Sequence, residues 1–123
     1  MTRATVIAGR EYRAYAWAPG SLRELFLADA GRAGREYLVF EDERWSFGQL
    51  MQMAASIASY LREECGVRKG DRVAIAMRNY PEWVFAYWAI VSIGAACVGM
   101  NAWWTTEEMR YGLADSAPKV VIA

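Results

Sequence analysis

The chain has 123 residues, 55% of them hydrophobic, and 14 basic side chains balance 14 acidic ones without a single histidine. A formal net charge of +0 leaves no electrostatic footprint for nucleic acid or an anionic membrane, and the lack of imidazole excludes histidine-held metals and Ser-His-Asp chemistry from this polypeptide. The length allows at most one domain, and six Trp with seven Tyr are more rings than a free-standing domain of this size easily hides, so the composition points to a chain that packs against further protein.

Residues 1–20 show no clear period and end in Ala18-Pro-Gly20, which predicts an irregular N-terminal arm. Arg10, Tyr12, Arg13, Tyr15 and Trp17 interleave charge with rings there, a pattern that reads as a solvated face and not as a nucleic-acid surface. The first ten residues hold no apolar run long enough for a signal peptide. Ser21-Leu-Arg-Glu24 has the spacing of a capping box, Leu22, Leu25 and Phe26 give the helix behind it an apolar side, and Gly31 and Gly34 finish it. Tyr37–Phe40 and Trp45–Phe47 are short β-type runs joined by a charged tip, Glu41-Asp-Glu-Arg44, and predict an antiparallel hairpin. The carboxylates of that tip read as a solvated turn; no metal site is expected.

Ser46-Phe-Gly-Gln49 is a second capping box, and behind it Leu50, Met53, Ala54, Ile57, Ala58 and Leu61 fall on one helical face. Gly66 stops that helix. From Asp71 onwards the pattern becomes strand, helix, strand, helix, strand. Arg72–Arg78 is apolar on both alternating faces, and Pro81 and Glu82 suit the first turn of a helix that ends at Gly94. Ala95–Met100 is a second strand, Thr105-Thr-Glu-Glu108 opens a helix with a third capping box, and Val120–Ile122 is a third strand. The fold class is therefore α/β, an incomplete parallel βαβαβ sheet over about residues 71–123 with right-handed crossovers, preceded by a helix, a β-hairpin and an amphipathic helix.

Between Trp83 and Thr106 there is no charged side chain, but Gly94, Gly99 and Asn101 break the run, so a helix followed by a buried strand is expected and not a transmembrane segment. The helix after Pro81 is apolar all round its axis, which predicts burial against the sheet on one side and against protein outside this chain on the other. Cys65 and Cys97 have no motif spacing and fit a reduced, cytoplasmic setting. There is no Gly-x4-Gly-Lys-Ser/Thr loop and no Gly-x-Gly-x-x-Gly turn. Glu63-Glu64 and Glu107-Glu108 are helix neighbours that do not converge, so no residue is a catalytic candidate. The candidate ligand edge lies beyond the carboxyl ends of the parallel strands, at Arg78-Asn-Tyr80 and Asn101-Ala-Trp-Trp104.

Gly66-Val-Arg-Lys-Gly-Asp-Arg-Val-Ala-Ile75, Asn79-Tyr-Pro-Glu82, Ile93-Gly-Ala-Ala96, Asn101 with Thr105-Thr-Glu-Glu108, and Asp115–Ile122 follow one another in an order that resembles the N-terminal region of AMP-forming acyl-CoA synthetases, in the adenylate-forming superfamily. Ser46-Phe-Gly-Gln-Leu50 resembles the usual Thr-Tyr-x-Glu-Leu of that family, and the resemblance covers about residues 21–123. It implies a partial N-terminal subdomain over 21–123 of a longer enzyme that joins a carboxylic acid, by preference a fatty acid, to coenzyme A through an acyl-adenylate. ATP, Mg and coenzyme A are implied for that parent enzyme, with the remainder of the enzyme as packing partner. The 123-residue chain alone is expected to be inactive and to bind none of these well. In several relatives the loop corresponding to Asn101, Ala102 and Trp103 lies near the nucleotide end of coenzyme A and often reads Asn-Pro-Arg, so these three are the candidate cofactor-binding residues. Trp103 stands in place of that arginine; an indole cannot pair with a phosphate but can stack on adenine. The alternatives are another adenylate-forming branch, acting on amino or aryl acids, and a stand-alone α/β interaction module that docks through the Pro81–Ile93 helix.

Overall fold

A computed structural model of the chain describes residues 1–28 and 30–123. Strands β1 (Thr2–Ile7) and β2 (Arg10–Tyr15) pair antiparallel, with Thr2 opposite Tyr15 and Ile7 opposite Arg10. The segment expected to be an irregular arm is thus a hairpin through Tyr15. Ala8 and Gly9 close it at φ +49° and +77°, the left-handed backbone that tight hairpin turns require. Burial enforces no alternation on these strands, since Val6, Ile7, Tyr12 and Tyr15 all remain exposed, and Ala-Gly is a weaker turn signal than Asn-Gly.

Helix α1 (Leu22–Ala28) leads through a short 3₁₀ turn, Ala30–Arg32, into β3 (Glu36–Phe40) and β4 (Glu43–Ser46), the expected antiparallel hairpin. Ser21 Oγ accepts from the Glu24 amide at 3.1 Å, but the Glu24 carboxylate takes the amide of Gly20, one residue earlier than a capping box would have it. Leu22 and Leu25 stay exposed, and Phe26 is the one residue that α1 buries, its ring stacked on Trp88 with centroids 4.6 Å apart. Helix α2 (Phe47–Glu63) begins with both halves of its capping box made, between Ser46 and Gln49. It buries Phe47, Leu50, Ala54 and Leu61, whereas Met53, expected on that face, is 39% exposed.

Strand β5 (Arg72–Ile75), helix α3 (Pro81–Ser92), strand β6 (Ala96–Gly99), helix α4 (Thr106–Ser116) and strand β7 (Val120–Ile122) form the parallel sheet. Val73 pairs with Cys97 on one side and with Val120 on the other, so the first strand is the middle one, in the order β6-β5-β7. The first crossover runs from β5 to β6 and the second runs back across β5 from β6 to β7, so they travel in opposite directions and the right-handed rule sends their helices to opposite faces. Lys119 fastens the start of β7 by donating to the Gly66 carbonyl at 2.6 Å and to the Asp71 carboxylate at 3.1 Å.

Helix α3 corrects the expectation that its far side needs protein outside this chain. Ala86 and Ile90 pack against Val73 and Ile75 of the sheet, while Phe85 and Ala89 pack against Phe26, Phe47, Leu50 and Ala54. Its own α1 and α2 cover it, and Phe85, Ala86, Ala89 and Ile90 are at most 2% exposed. No helix among the described residues is long and apolar enough to cross a membrane.

Candidate functional site

At the carboxyl ends of β5 and β6 the chain leaves the sheet in two neighbouring loops. The Met100 amide donates to the Ile75 carbonyl at 2.9 Å, which holds the exits side by side. Between them lies an open cleft of about 610 Å³, lined by Met77, Arg78, Asn79 and Trp83 from one loop and helix and by Gly99 through Trp103 from the other. The sequence-predicted residues Asn101, Ala102 and Trp103 thus share one concavity with Arg78 and Asn79.

Their local geometry separates their roles. Asn101 folds the loop, its Oδ1 accepting from the Trp103 amide at 2.9 Å and its carbonyl from the Trp104 amide at 3.1 Å. The two tryptophans then part. Trp104 lies against α4 so closely that a Cβ placed on Gly112 would be 2.7 Å from its ring, and it is not part of the cleft wall. Trp103 faces the cleft, 74% exposed, with the Arg78 guanidinium carbon 4.3 Å from the centre of its ring. That pairing of cation and indole joins the two loops, and residue spacing alone does not show it. Tyr80 turns the other way, edge-on to Phe40 at 5.6 Å.

The electrostatics are one-sided. Among the described residues no carboxylate lines the cleft and Arg78 forms no ion pair. Just beyond it, the Thr105 amide and hydroxyl both donate to Glu108 and hold its carboxyl below the usual range. Burial pushes the Cys97 thiol up, which favours its protonated form. Among the described residues no group of three or more His, Cys, Asp or Glu could hold a metal ion. Among the described residues the side-chain carbonyls on the wall belong to Asn79 and Asn101, and the latter already accepts from Trp103. This donor set does not fit a magnesium ion, which asks for carboxylate oxygens.

A family model described as AMP-binding enzyme matches residues 26–123. The chain belongs to that family. The chain is 34% identical over 85 residues to the 2-succinylbenzoate–CoA ligase of Bacillus velezensis, covering 69% of this chain and 18% of that one. It is likewise 34% identical over 103 residues to a long-chain-fatty-acid–CoA ligase of Salmonella typhimurium, covering 83% of this chain and 18% of the relative. Among solved structures, an anthranilate CoA ligase in complex with anthranoyl-AMP superposes with a TM-score of 0.77 at 27% identity, over 82% of this chain and 20% of that chain. The α/β architecture with its parallel sheet is thus that of AMP-binding enzymes. The chain spans about a fifth of the length of these relatives, and the β1–β2 hairpin lies outside the matched residues.

Proposed function

We propose that this chain is the N-terminal part of an ATP-dependent, AMP-forming acid–CoA ligase that works through an acyl-adenylate and takes a fatty acid as substrate. The observation that carries the reading is the family match across residues 26–123, in which the relatives are CoA ligases. The fatty-acid preference is supported by the long-chain relative, which aligns over 103 residues against 85 for the succinylbenzoate one. Aryl acids are the second reading, favoured by the anthranilate ligase among the structural neighbours. The interaction-module reading loses its docking face, because α3 is covered by its own chain.

In this reading the cleft receives the nucleotide end of coenzyme A. Trp103 offers a flat, exposed ring on which an adenine stacks, and Arg78, held over that ring, supplies the cation for a phosphate that Trp103 itself cannot supply. Asn101 keeps the loop folded beneath them. The chain contributes no acid, base or nucleophile to the chemistry, so by itself it is inactive, and magnesium and the triphosphate are held by other parts of the enzyme.

The test is acyl-CoA formation by the full-length protein supplied with ATP, coenzyme A and either decanoate or anthranilate. Turnover of decanoate supports the fatty-acid reading, turnover of anthranilate alone replaces it with the aryl one, and turnover of neither overturns the ligase assignment for these acids. Trp103→Ala is expected to raise KM for coenzyme A about 10-fold, the scale of one lost base–aromatic stack, with pyrophosphate exchange unchanged. Pyrophosphate exchange by the isolated 123-residue chain would contradict its silence.

A further inference from the structure

At the opposite end of the sheet, where the chain enters β5 and β6, four cations converge. Arg23, Arg62, Arg68 and Lys69 line an open hollow of about 420 Å³ that no carboxylate lines among the described residues. Three of them are held in place by backbone and not by acids. Arg23 donates to the Ser92 carbonyl at 2.7 Å, Arg68 donates to the carbonyls of Arg62 and Val67 at 2.8 and 3.1 Å, and the stem of Lys69 lies over Gly94, where an added Cβ would be 3.0 Å from Lys69 Cγ. The side chains of Arg62 and Lys69 make no hydrogen bond or ion pair among the described residues.

Carbonyl partners fix a guanidinium without cancelling its charge. The carboxyl ends of α2 and α3 point into this region with roughly half a negative charge each; together with Asp71 near Arg68, which Lys119 already engages, and Glu63 on the adjoining groove they offset part of the four positive charges and not all of it. In a chain whose net charge is +0, such an excess is a local construction and not a reflection of overall composition.

The hollow continues into a partly apolar groove of about 290 Å³ between α1, α2 and α3, and the two share Arg23, Arg62, Ser92 and Ile93. Phe26, Leu27, Met51, Ala54 and Ala58 line this second part, with Glu63 at its rim already accepting from the Ser59 hydroxyl. The alanines of α2 leave the space that larger side chains would fill. A cationic hollow opening directly into an apolar groove matches one chemistry, an anionic head on an aliphatic tail.

We propose that this composite groove is a binding site for a single-chain anionic amphiphile, a carboxylate or phosphate monoester on an unbranched alkyl chain. The head lies between Arg62 and Lys69 and the tail runs over Ala54 and Ala58 towards Phe26. The site is at the other end of the sheet from the Arg78–Trp103 cleft, so it stands apart from the ligase reading and needs neither ATP nor coenzyme A.

Isothermal titration of the full chain with decanoate, decyl phosphate, methyl decanoate and inorganic phosphate tests it. Decanoate and decyl phosphate are both expected to bind, affinity rising about fourfold per methylene from hexanoate to decanoate, as burial of a methylene predicts. Whichever of the two binds more tightly identifies the head group. Methyl decanoate and inorganic phosphate, each lacking one half of the ligand, should bind at least 10-fold more weakly. The double variant Arg62→Ala with Lys69→Ala should weaken decanoate about 10-fold or more, and Ala58→Trp, which blocks the groove from a partly buried position on α2, should abolish binding while leaving the circular dichroism spectrum unchanged. If Ala58→Trp unfolds the chain, the double variant decides. Equal binding of methyl decanoate, no binding of either anionic amphiphile, or unchanged affinity in the double variant would overturn the proposal.

Discussion

The two crossover helices of the sheet are built on opposite principles. Helix α3 has no side-chain cap; its N-cap, Tyr80, makes no capping hydrogen bond, and Pro81 only removes an amide that had no partner. It is held by what surrounds it, with Pro81, Phe85, Ala86, Ala89 and Ile90 buried. Helix α4 buries none of its residues, yet carries a complete capping box at Thr105 and Glu108 and a left-handed C-cap at Ala117, φ +43°. One helix exists because the tertiary structure wraps it, the other because its own ends are satisfied. The loops that line the cleft precede both helices, so one side of the cleft leads into a helix held by packing and the other into a helix held by its caps.

That contrast can be broken at its strongest point by Phe85→Ala. Phe85 is 2% exposed and meets the Trp45 ring at 4.9 Å, so its removal should cost about 3–5 kcal/mol in a denaturant titration. A loss below about 1 kcal/mol would mean that α3 does not depend on its surroundings. Thr105→Ala should cost less, about 1 kcal/mol, the worth of one N-cap. Its effect should be confined to α4, with hydrogen exchange rising in Thr106–Ser116 and staying unchanged in α3.

The smallest effect lies in pH. The hydrogen bonds from Thr105 lower the Glu108 pKa in the folded chain. The folded state therefore binds fewer protons than the unfolded one, and the resulting stability is complete above the ordinary glutamate value of about 4.3 and is lost as pH falls through the lowered one. Glu108→Gln keeps the box but removes the titration, so its stability should fall less steeply with acid. Asp71 follows the same sign, its carboxyl lowered first by the Arg68 amide and then by Lys119, and Asp71→Asn should flatten what remains. Phe85→Ala should leave the slope untouched.

The features legible in the residues were those that act over a turn or two of chain. The boxes at Ser46 and Thr105, Pro81 in the first turn of α3 and the left-handed glycines 66 and 94 stand where the spacing put them, and all three parallel strands form, although β5 ends at Ile75 and not at Arg78 and β6 spans Ala96–Gly99 and not Ala95–Met100. What failed were features whose meaning depends on a neighbour. The β1–β2 hairpin buries neither face and so left no period to read. Met53 lies on the right face of α2 in the wrong place to reach the core. The rings of α3, counted without knowledge of where α1 and α2 fold, seemed to demand another protein. At the site, the sequence named Asn101, Ala102 and Trp103 from a resemblance, and both loops from the strand-end rule, but not the Arg78 guanidinium over Trp103, whose partners are 25 residues apart.

By itself, then, the sequence determined the order and type of the elements from Ser21 onwards and the family they belong to, because capping, turn chemistry and period are local and each residue carries its own share of them. The tertiary structure decided which sides of α3 are covered, which of two adjacent tryptophans turns to the cleft, and that four cations from three separate segments meet at one end of the sheet. Those outcomes depend on which distant backbone carbonyl or ring comes within a few ångströms, and only the packed chain supplies that.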